Sequence, residues 1–367
     1  MRFKNKFTVF MLAFAALFNA CKNELNILAP YKESVSVYAI LNPQENRQFV
    51  RINKIFLGEG NAYQMAQVND SINYKKGDLT VTLERYDNGV LALTTVGNPT
   101  KKQIILNDTV IQTQSGMFNT NQRLFYTDDK LYTFGDYKLT ITNNKTGNVF
   151  TSKGLIIDSV KPYSFPPLAP PYYPVAYNPS NPSSYYIDYS IPTVNRTIRF
   201  NSIVNARDYD IVMRFHYADS LATGALVPKY VDFNFPTVSS NDLNGGEQLT
   251  VNFNSGDFYA FLVGKLNADE PSNLLFRKII KMDYIVTAAA QDFSDFLKIS
   301  APSTSVAQDK PVYSNIDGGG FGIFSSRSRH HISKQISVNW IDYMATTKPT
   351  CNLRFLKSDG NPSAICN

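Results

Sequence analysis

The chain has 367 residues, with 36 Lys and Arg against 30 Asp and Glu, a formal charge of +6, and 22 Tyr and 25 Phe against a single Trp. That length allows two or three domains, each large enough for its own core. The cations are scattered, which excludes a nucleic-acid footprint, and three histidines leave little for acid–base chemistry.

Met1 to Lys6 carries three cations, and Phe7 to Phe18 is an apolar or neutral run of twelve residues closed by Asn19-Ala20-Cys21. A charged start, a short apolar stretch and a small residue at the end predict a secretory signal peptide over residues 1–20. Twelve residues are too few to span a bilayer core of about 30 Å as a helix. The cysteine at the end of the run resembles a lipobox, the bacterial lipoprotein signal, although Phe18 and Asn19 stand where that signal prefers Leu and a small residue. The resemblance implies that Cys21 receives a diacylglycerol and becomes the acylated N-terminus, so that two or three chains anchor the protein stably in a membrane. Residues 21–30 are then a lipidated tether. Its Lys22-Asn23-Glu24 partly resembles the signal that sends Bacteroidota lipoproteins to the cell surface, which implies an outer-membrane, lipid-anchored protein facing outward rather than into the periplasm. Without Arg2, Lys4 and Lys6 the chain keeps 33 basic against 30 acidic residues.

Past the tether, short Thr, Val, Tyr and Ile runs alternate with Asn, Gly, Asp and Pro clusters. They predict a mostly β protein: two immunoglobulin-like β-sandwich domains with a short packing helix. Residues 31–160 are the N-terminal β-sandwich. Strands are predicted at Ser34 to Leu41 and Phe49 to Phe56, then where Leu79, Val81 and Leu83 alternate with Thr80, Thr82 and Glu84. Asn88-Gly89 is the pair that a type I′ hairpin turn requires. Gly135-Asp136-Tyr137-Lys138-Leu139 resembles the tyrosine corner of immunoglobulin-like sandwiches, or is any strand with a tyrosine.

Residues 161–192 are a Pro/Tyr-rich linker, with nine prolines and seven tyrosines between Pro162 and Pro192. Proline without glycine favours extended chain. The stretch reads either as a linker laid over a sandwich face or as an aromatic surface, through Tyr172, Tyr173, Tyr177, Tyr185 and Tyr186, for a sugar or a partner.

Residues 193–344 are a second β-sandwich-like domain with a Gly-rich segment. Tyr209, Ile211, Met213, Phe215 and Tyr217 share one face of a strand, and His216 on the other face reads as a solvated histidine rather than a ligand. Asn241 to Glu247 has the oxygen ligands of a calcium loop without the full spacing, so a hairpin loop is expected. A helix begins with Ser255 as its cap and buries Phe258, Phe261, Leu262 and Leu266. A strand runs from Ile279 to Ala290, and a short helical stretch from Gln291 to Ile299. Gly318, Gly319, Gly320 and Gly322 mark a close approach of backbones. Gln335 to Ile341, with Trp340, reads as a closing strand. Residues 345–367 form a C-terminal tail, in which Cys351 and Cys366 are left to pair as a disulfide in the oxidising compartment of an exported chain.

Val37-Tyr38-Ala39-Ile40-Leu41-Asn42-Pro43 and Tyr313-Ser314-Asn315-Ile316 through Gly322-Ile323-Phe324 resemble a broad group of uncharacterised Bacteroidota outer-membrane lipoproteins. These have two β-sandwich domains behind a lipobox and are often encoded beside SusC-like TonB-dependent receptors. The resemblance implies an accessory subunit docked on such a receptor or on another outer-membrane barrel. It brings no catalytic residues. Asp70-Ser71-Ile72, Asp108-Thr109-Val110, Asp158-Ser159-Val160 and Asp219-Ser220-Leu221 each resemble the O-glycosylation triplet of the same organisms, with Ser71, Thr109, Ser159 and Ser220 as acceptors.

No Gly-x-Ser-x-Gly elbow, His-Glu-x-x-His zinc motif or P-loop occurs. The expectation is a non-catalytic protein with no cofactor and no metal. Asp128-Asp129 is the most obvious acidic pair, and neighbours on a turn are usually solvated. The alternative to the docking subunit is a glycan- or nutrient-binding surface lipoprotein that uses the tyrosine-rich stretch.

Overall fold

A computed structural model describes residues 33–55, 68–112, 121–133, 135–158, 186–301 and 312–366. The expectations on residues 1–30, Ser159, Tyr172, Tyr173, Tyr177 and Tyr185 lie outside the described residues.

The protein is mostly β. The first half holds β1 (Ser34–Leu41), β2 (Gln48–Ile55), the one-turn α1 (Asn69–Ile72), β3 (Leu79–Asp87), β4 (Val90–Ala92), β5 (Gln103–Ile105), β6 (Asn107–Gln112), β7 (Asn121–Thr127), β8 (Asp136–Asn143) and β9 (Val149–Leu155). The second holds β10 (Tyr186–Ile187), β11 (Asn195–Asn201), β12 (Ala206–Leu221), β13 (Leu226–Asn234), β14 (Val238–Ser239), β15 (Gln248–Asn254), α2 (Ser255–Ala268), β16 (Leu274–Ala290), α3 (Gln291–Ser300), β17 (Ile316–Asp317), β18 (Phe321–Ile336) and α4 (Val338–Thr346).

Alternation builds the layers. In β1 every second residue (Val35, Val37, Ala39, Leu41) is buried, and β3 and β8 do the same. These residues, with Val50, Ile52, Phe125 and Phe150, form the first core between the β1-β2-β7-β6 strands and the β17-β9-β8-β3-β4 sheet. The second core lies under β12, β16 and the end of β18, opposite the β11-β15 pair, α2 and α4. Ile316 and Phe324 join the first core, although most of the chain around them serves the second.

That exchange follows from one strand. Residues 321–326 of β18 run parallel to β1, and residues 327–334 run antiparallel to β16. One sheet, ordered β13-β12-β16-β18-β1-β2-β7-β6, therefore passes over both cores. Gly322 makes the joint possible. Its φ is +111°, and a Cβ there would stand 2.0 Å from the Val37 carbonyl oxygen. Gly318 also comes close to a backbone carbonyl, that of Val149, with 2.6 Å to a Cβ. The glycines serve close backbone approach.

Two local expectations change. Asn254, not Ser255, caps α2, because its side chain accepts from the Gly256 N–H. Trp340 lies in α4 rather than in a closing strand. Ser337 follows β18, caps α4 and accepts from the Trp340 N–H, and Trp340 and Met344 then share the buried face at i, i+4. The Cys351–Cys366 disulfide, with Cα atoms 5.4 Å apart, closes the C-terminal loop. Within that loop, Leu353 and Phe355 are buried in the second core. The fully buried Arg277 ties the same region together. Its guanidinium pairs with Asp219 and donates to the carbonyls of Leu266 and Leu353, so the charge is met on several sides.

Candidate functional site: an imidazole–carboxylate cleft and an aromatic sheet face

The inner face of the long sheet is spent on the two cores, so whatever it offers a ligand stands on the outer face. There the strand registers set polar side chains side by side. Arg214 on β12 lies opposite Asp283 on β16, which lies opposite Ser333 on β18. One step along, His216 faces Lys281, and on the other side Ile285 faces His331. Side chains that alternate in sequence thus become one patch.

Asp283 is its centre. The buried carboxylate accepts from Ser333 Oγ at 2.6 Å and Lys281 Nζ at 2.9–3.0 Å, and lies 2.6 Å from His216 Nε2 and 2.9 Å from His331 Nε2. Burial pushes the Asp283 carboxyl up, but the hydrogen bonds from Ser333, Lys281 and His331 and the nearby His216 outweigh it and hold the group well below the usual carboxylate range. Arg214 forms a two-pronged pair with Asp232 at 2.7 and 2.8 Å and lies 4.0 Å from the centre of the Tyr230 ring. The turn after β1 closes the site. Gln44 accepts from the Arg329 backbone N–H, and Glu45 pairs with Arg327 at 3.4 Å. The result is a cleft of about 570 Å³ lined by Gln44, Glu45, Arg214, His216, Lys281, Asp283, Arg329 and His331, among others. His216 is thus half-buried against a carboxylate rather than simply solvated. Among the described residues no group of three His, Cys, Asp or Glu is arranged to hold a metal ion.

The same outer face changes character over the first core. Tyr38 on β1 is 48% exposed, Phe49 on β2 39% and Phe321 on β18 48%. Phe49 pairs with Tyr126 in register, at 6.4 Å between rings, and Arg47 lies 4.5 Å from the Tyr126 ring centre. Phe296 of α3 packs on Tyr38 at 6.1 Å and on Tyr313 at 6.1 Å. Four adjacent strands therefore present an aromatic band edged by arginine.

Of the tyrosines named from the linker, Tyr186 is described. It stands 44% exposed on β10, beside Gln335 of β18. Ser71 is half-buried in α1. Thr109 is half-buried in β6, next to an Asp108 paired with Arg123. Ser220 is half-buried within β12, beside the buried Asp219. Asp128 and Asp129 part company, the first pairing with Arg47 and the second with Lys101, both at 2.5 Å. In the Asn241 to Glu247 loop the Glu247 carboxylate accepts from Ser240 and from the Asn241 backbone, so the loop's own donors satisfy it. The cleft itself escaped the sequence reading. Its one signal was polar Lys281 and Asp283 at alternate places in an apolar strand.

No family model matches the sequence, and no curated protein matches it. Among solved structures the chain is similar to the C-terminal globular domain of an oligosaccharyltransferase from Pyrococcus abyssi, at 12% identity and a TM-score of 0.22, over 72% of this chain and 52% of that one. It thus spans about half the length of that structure. It is also similar to the calcium-binding domain CBD12 of CALX1.1, at 8% identity and a TM-score of 0.16, over 83% of this chain and 99% of that one. Likeness at these scores carries no inference about function.

Proposed function

We propose that the chain is a non-catalytic outer-membrane lipoprotein, anchored through Cys21, that docks on a TonB-dependent transporter or another outer-membrane complex. The observation that carries the docking is the aromatic band of Tyr38, Phe49, Tyr126 and Phe321 on the outer sheet face. Interface centres are enriched in Tyr, Phe and Arg, and this face has all three. The anchor and the kind of partner rest on the Cys21 segment and on the family resemblance. No helix among the described residues is long and apolar enough to cross a membrane, and the lipid would supply the attachment.

The test is purification of the native chain in mild detergent with identification of what comes with it. A stoichiometric outer-membrane barrel is expected, with its recovery reduced about tenfold in Tyr38→Ala/Phe49→Ala. Cys21→Ala should lose fatty-acid labelling and leave the membrane fraction. Recovery of the chain alone would overturn the docking reading.

A second reading, a ligand-binding surface lipoprotein, is favoured by the cleft around Asp283. Its size is that of small-molecule sites, and polar groups of several chemistries converge in it.

A further inference from the structure

The cleft has a net charge, and that charge selects a ligand. Among the lining residues and their partners, Glu45 is matched by Arg327, Arg214 by Asp232, and Asp283 by Lys281. Arg329 lines the same cleft, exposed, and among the described residues its guanidinium has no carboxylate partner. Counted over its Lys, Arg, Asp and Glu side chains, the cleft therefore holds one positive charge in excess. Asp283 is not free to be a ligand's partner, since Ser333, Lys281, His216 and His331 already crowd both of its oxygens. It acts as an internal counter-ion that gathers the cations around the cavity.

We infer that this cleft binds a small monoanionic, carboxylate-bearing polyol, an acidic sugar in chemical class, with Arg329 gripping the carboxylate. A guanidinium fork matches the two oxygens of a carboxylate. One surplus charge balances a monoanion and not a phosphate dianion. The cavity of about 570 Å³ is too roomy for a lone carboxylate and suits a ligand of sugar size. Around it, Gln44 accepts from the Arg329 backbone through its carbonyl, which leaves its amide N–H groups to meet hydroxyls. Tyr230, 55% exposed over Arg214 and 6.0 Å from the His216 ring, offers an aromatic face at the edge. This inference rests on the ligand-binding reading and is independent of docking.

The experiment is calorimetric titration of the full chain in mild detergent with galacturonate, galactose and inorganic phosphate. Galacturonate should bind, galactose and phosphate should bind at least about tenfold more weakly, and raised salt should weaken the galacturonate signal. Arg329→Ala should reduce galacturonate affinity by about tenfold or more with an unchanged melting temperature, because Arg329 lies on the exposed face. Equal binding of galactose would overturn the charge selection while leaving the ligand-binding reading standing. Equal or tighter binding of phosphate, or an Arg329→Ala variant that binds as the parent does, would overturn the assignment. No heat from any of the three would overturn the acidic-sugar assignment, while the ligand-binding reading falls only if a screen of neutral and cationic small molecules is silent as well.

Discussion

Two tyrosines do the same work in the two halves. Tyr137 is fully buried, its hydroxyl accepting from the Tyr132 backbone N–H at 3.0 Å, five residues upstream. Tyr209 repeats the arrangement, accepting from the Ile203 N–H at 2.8 Å, six residues upstream. Both follow an aspartate at the start of a strand, Asp136-Tyr137 and Asp208-Tyr209. Each hydroxyl satisfies backbone that would otherwise be buried unpaired, which is the tyrosine-corner device. Burial pushes the Tyr209 hydroxyl up to about 12 and Tyr137 higher still. A phenol whose folded value is raised contributes stability that is complete below about pH 10 and is lost as the pH climbs through the folded value. Tyr137→Phe and Tyr209→Phe should each cost about 1–3 kcal/mol by denaturant unfolding, since a buried N–H loses its acceptor. A loss below the error of the melt would mean that the ring alone holds the corner. Asn88 and Gly89, at φ of +49° and +80°, were just as readable, because the two-residue turn needs positive φ at both places.

At the scale of elements, β18 shows what alternation settles and what it leaves open. Its even positions, Phe324, Ile332 and Ile336, go to the cores, and the odd Arg329, His331 and Ser333 go to the outer face. His330 is on the inner side, and its Nε2 is buried without a hydrogen-bond partner among the described residues. Burial, and then the neighbouring His331, lower its proton affinity. A histidine lowered in this way is neutral when folded, so its contribution is complete above about pH 6.5 and is lost as the pH falls through the lower folded value. His330→Leu should therefore flatten the loss of melting temperature between about pH 6.5 and 5. An unchanged pH profile would show that acid destabilisation arises elsewhere. Asp283 works in the same direction but at lower pH, because its depressed value keeps its ion pairs intact until well below the usual carboxylate range. Trp340 and Ile341 have strand preferences, so local pattern alone predicts a strand where α4 stands. The Ser337 cap and the burial of Trp340 with Met344 decided otherwise.

At the scale of the whole molecule, the two cores share the joint between β18 and β1. The parallel contact of β18 with β1 depends on Gly322, where any side chain would strike the Val37 carbonyl and where φ is +111°. Gly322→Ala should cost roughly 3 kcal/mol or more and expose the amides of β1 to hydrogen exchange before those of β12. Uniform loss of protection, or none, would show that the joint is not where the two halves separate. The same joint lays one sheet over both cores, and its outer face holds the aromatic band at one end and the cleft at the other.

Strand alternation, turn chemistry and the cysteine pair were legible in the residues, because each depends on neighbours within a few positions. Period-two burial named most strands of the first half, and Asp-Tyr marked a corner. The cleft was not legible. Its members, Gln44, Arg214, His216, Asp283, Arg329 and His331, come from parts of the chain that local pattern does not connect, and only strand order and register bring them to one cleft, with His216 and His331 each within 3 Å of Asp283. His216 reads as a solvated histidine until β16 is known to lie beside β12 with Asp283 on the same face. Local pattern was enough for a β protein and for the residues that turn, cap and cross-link it. Tertiary structure alone decided which charges meet, because pairing between distant strands is set by the packing of two cores against a shared sheet, and no local preference encodes that register.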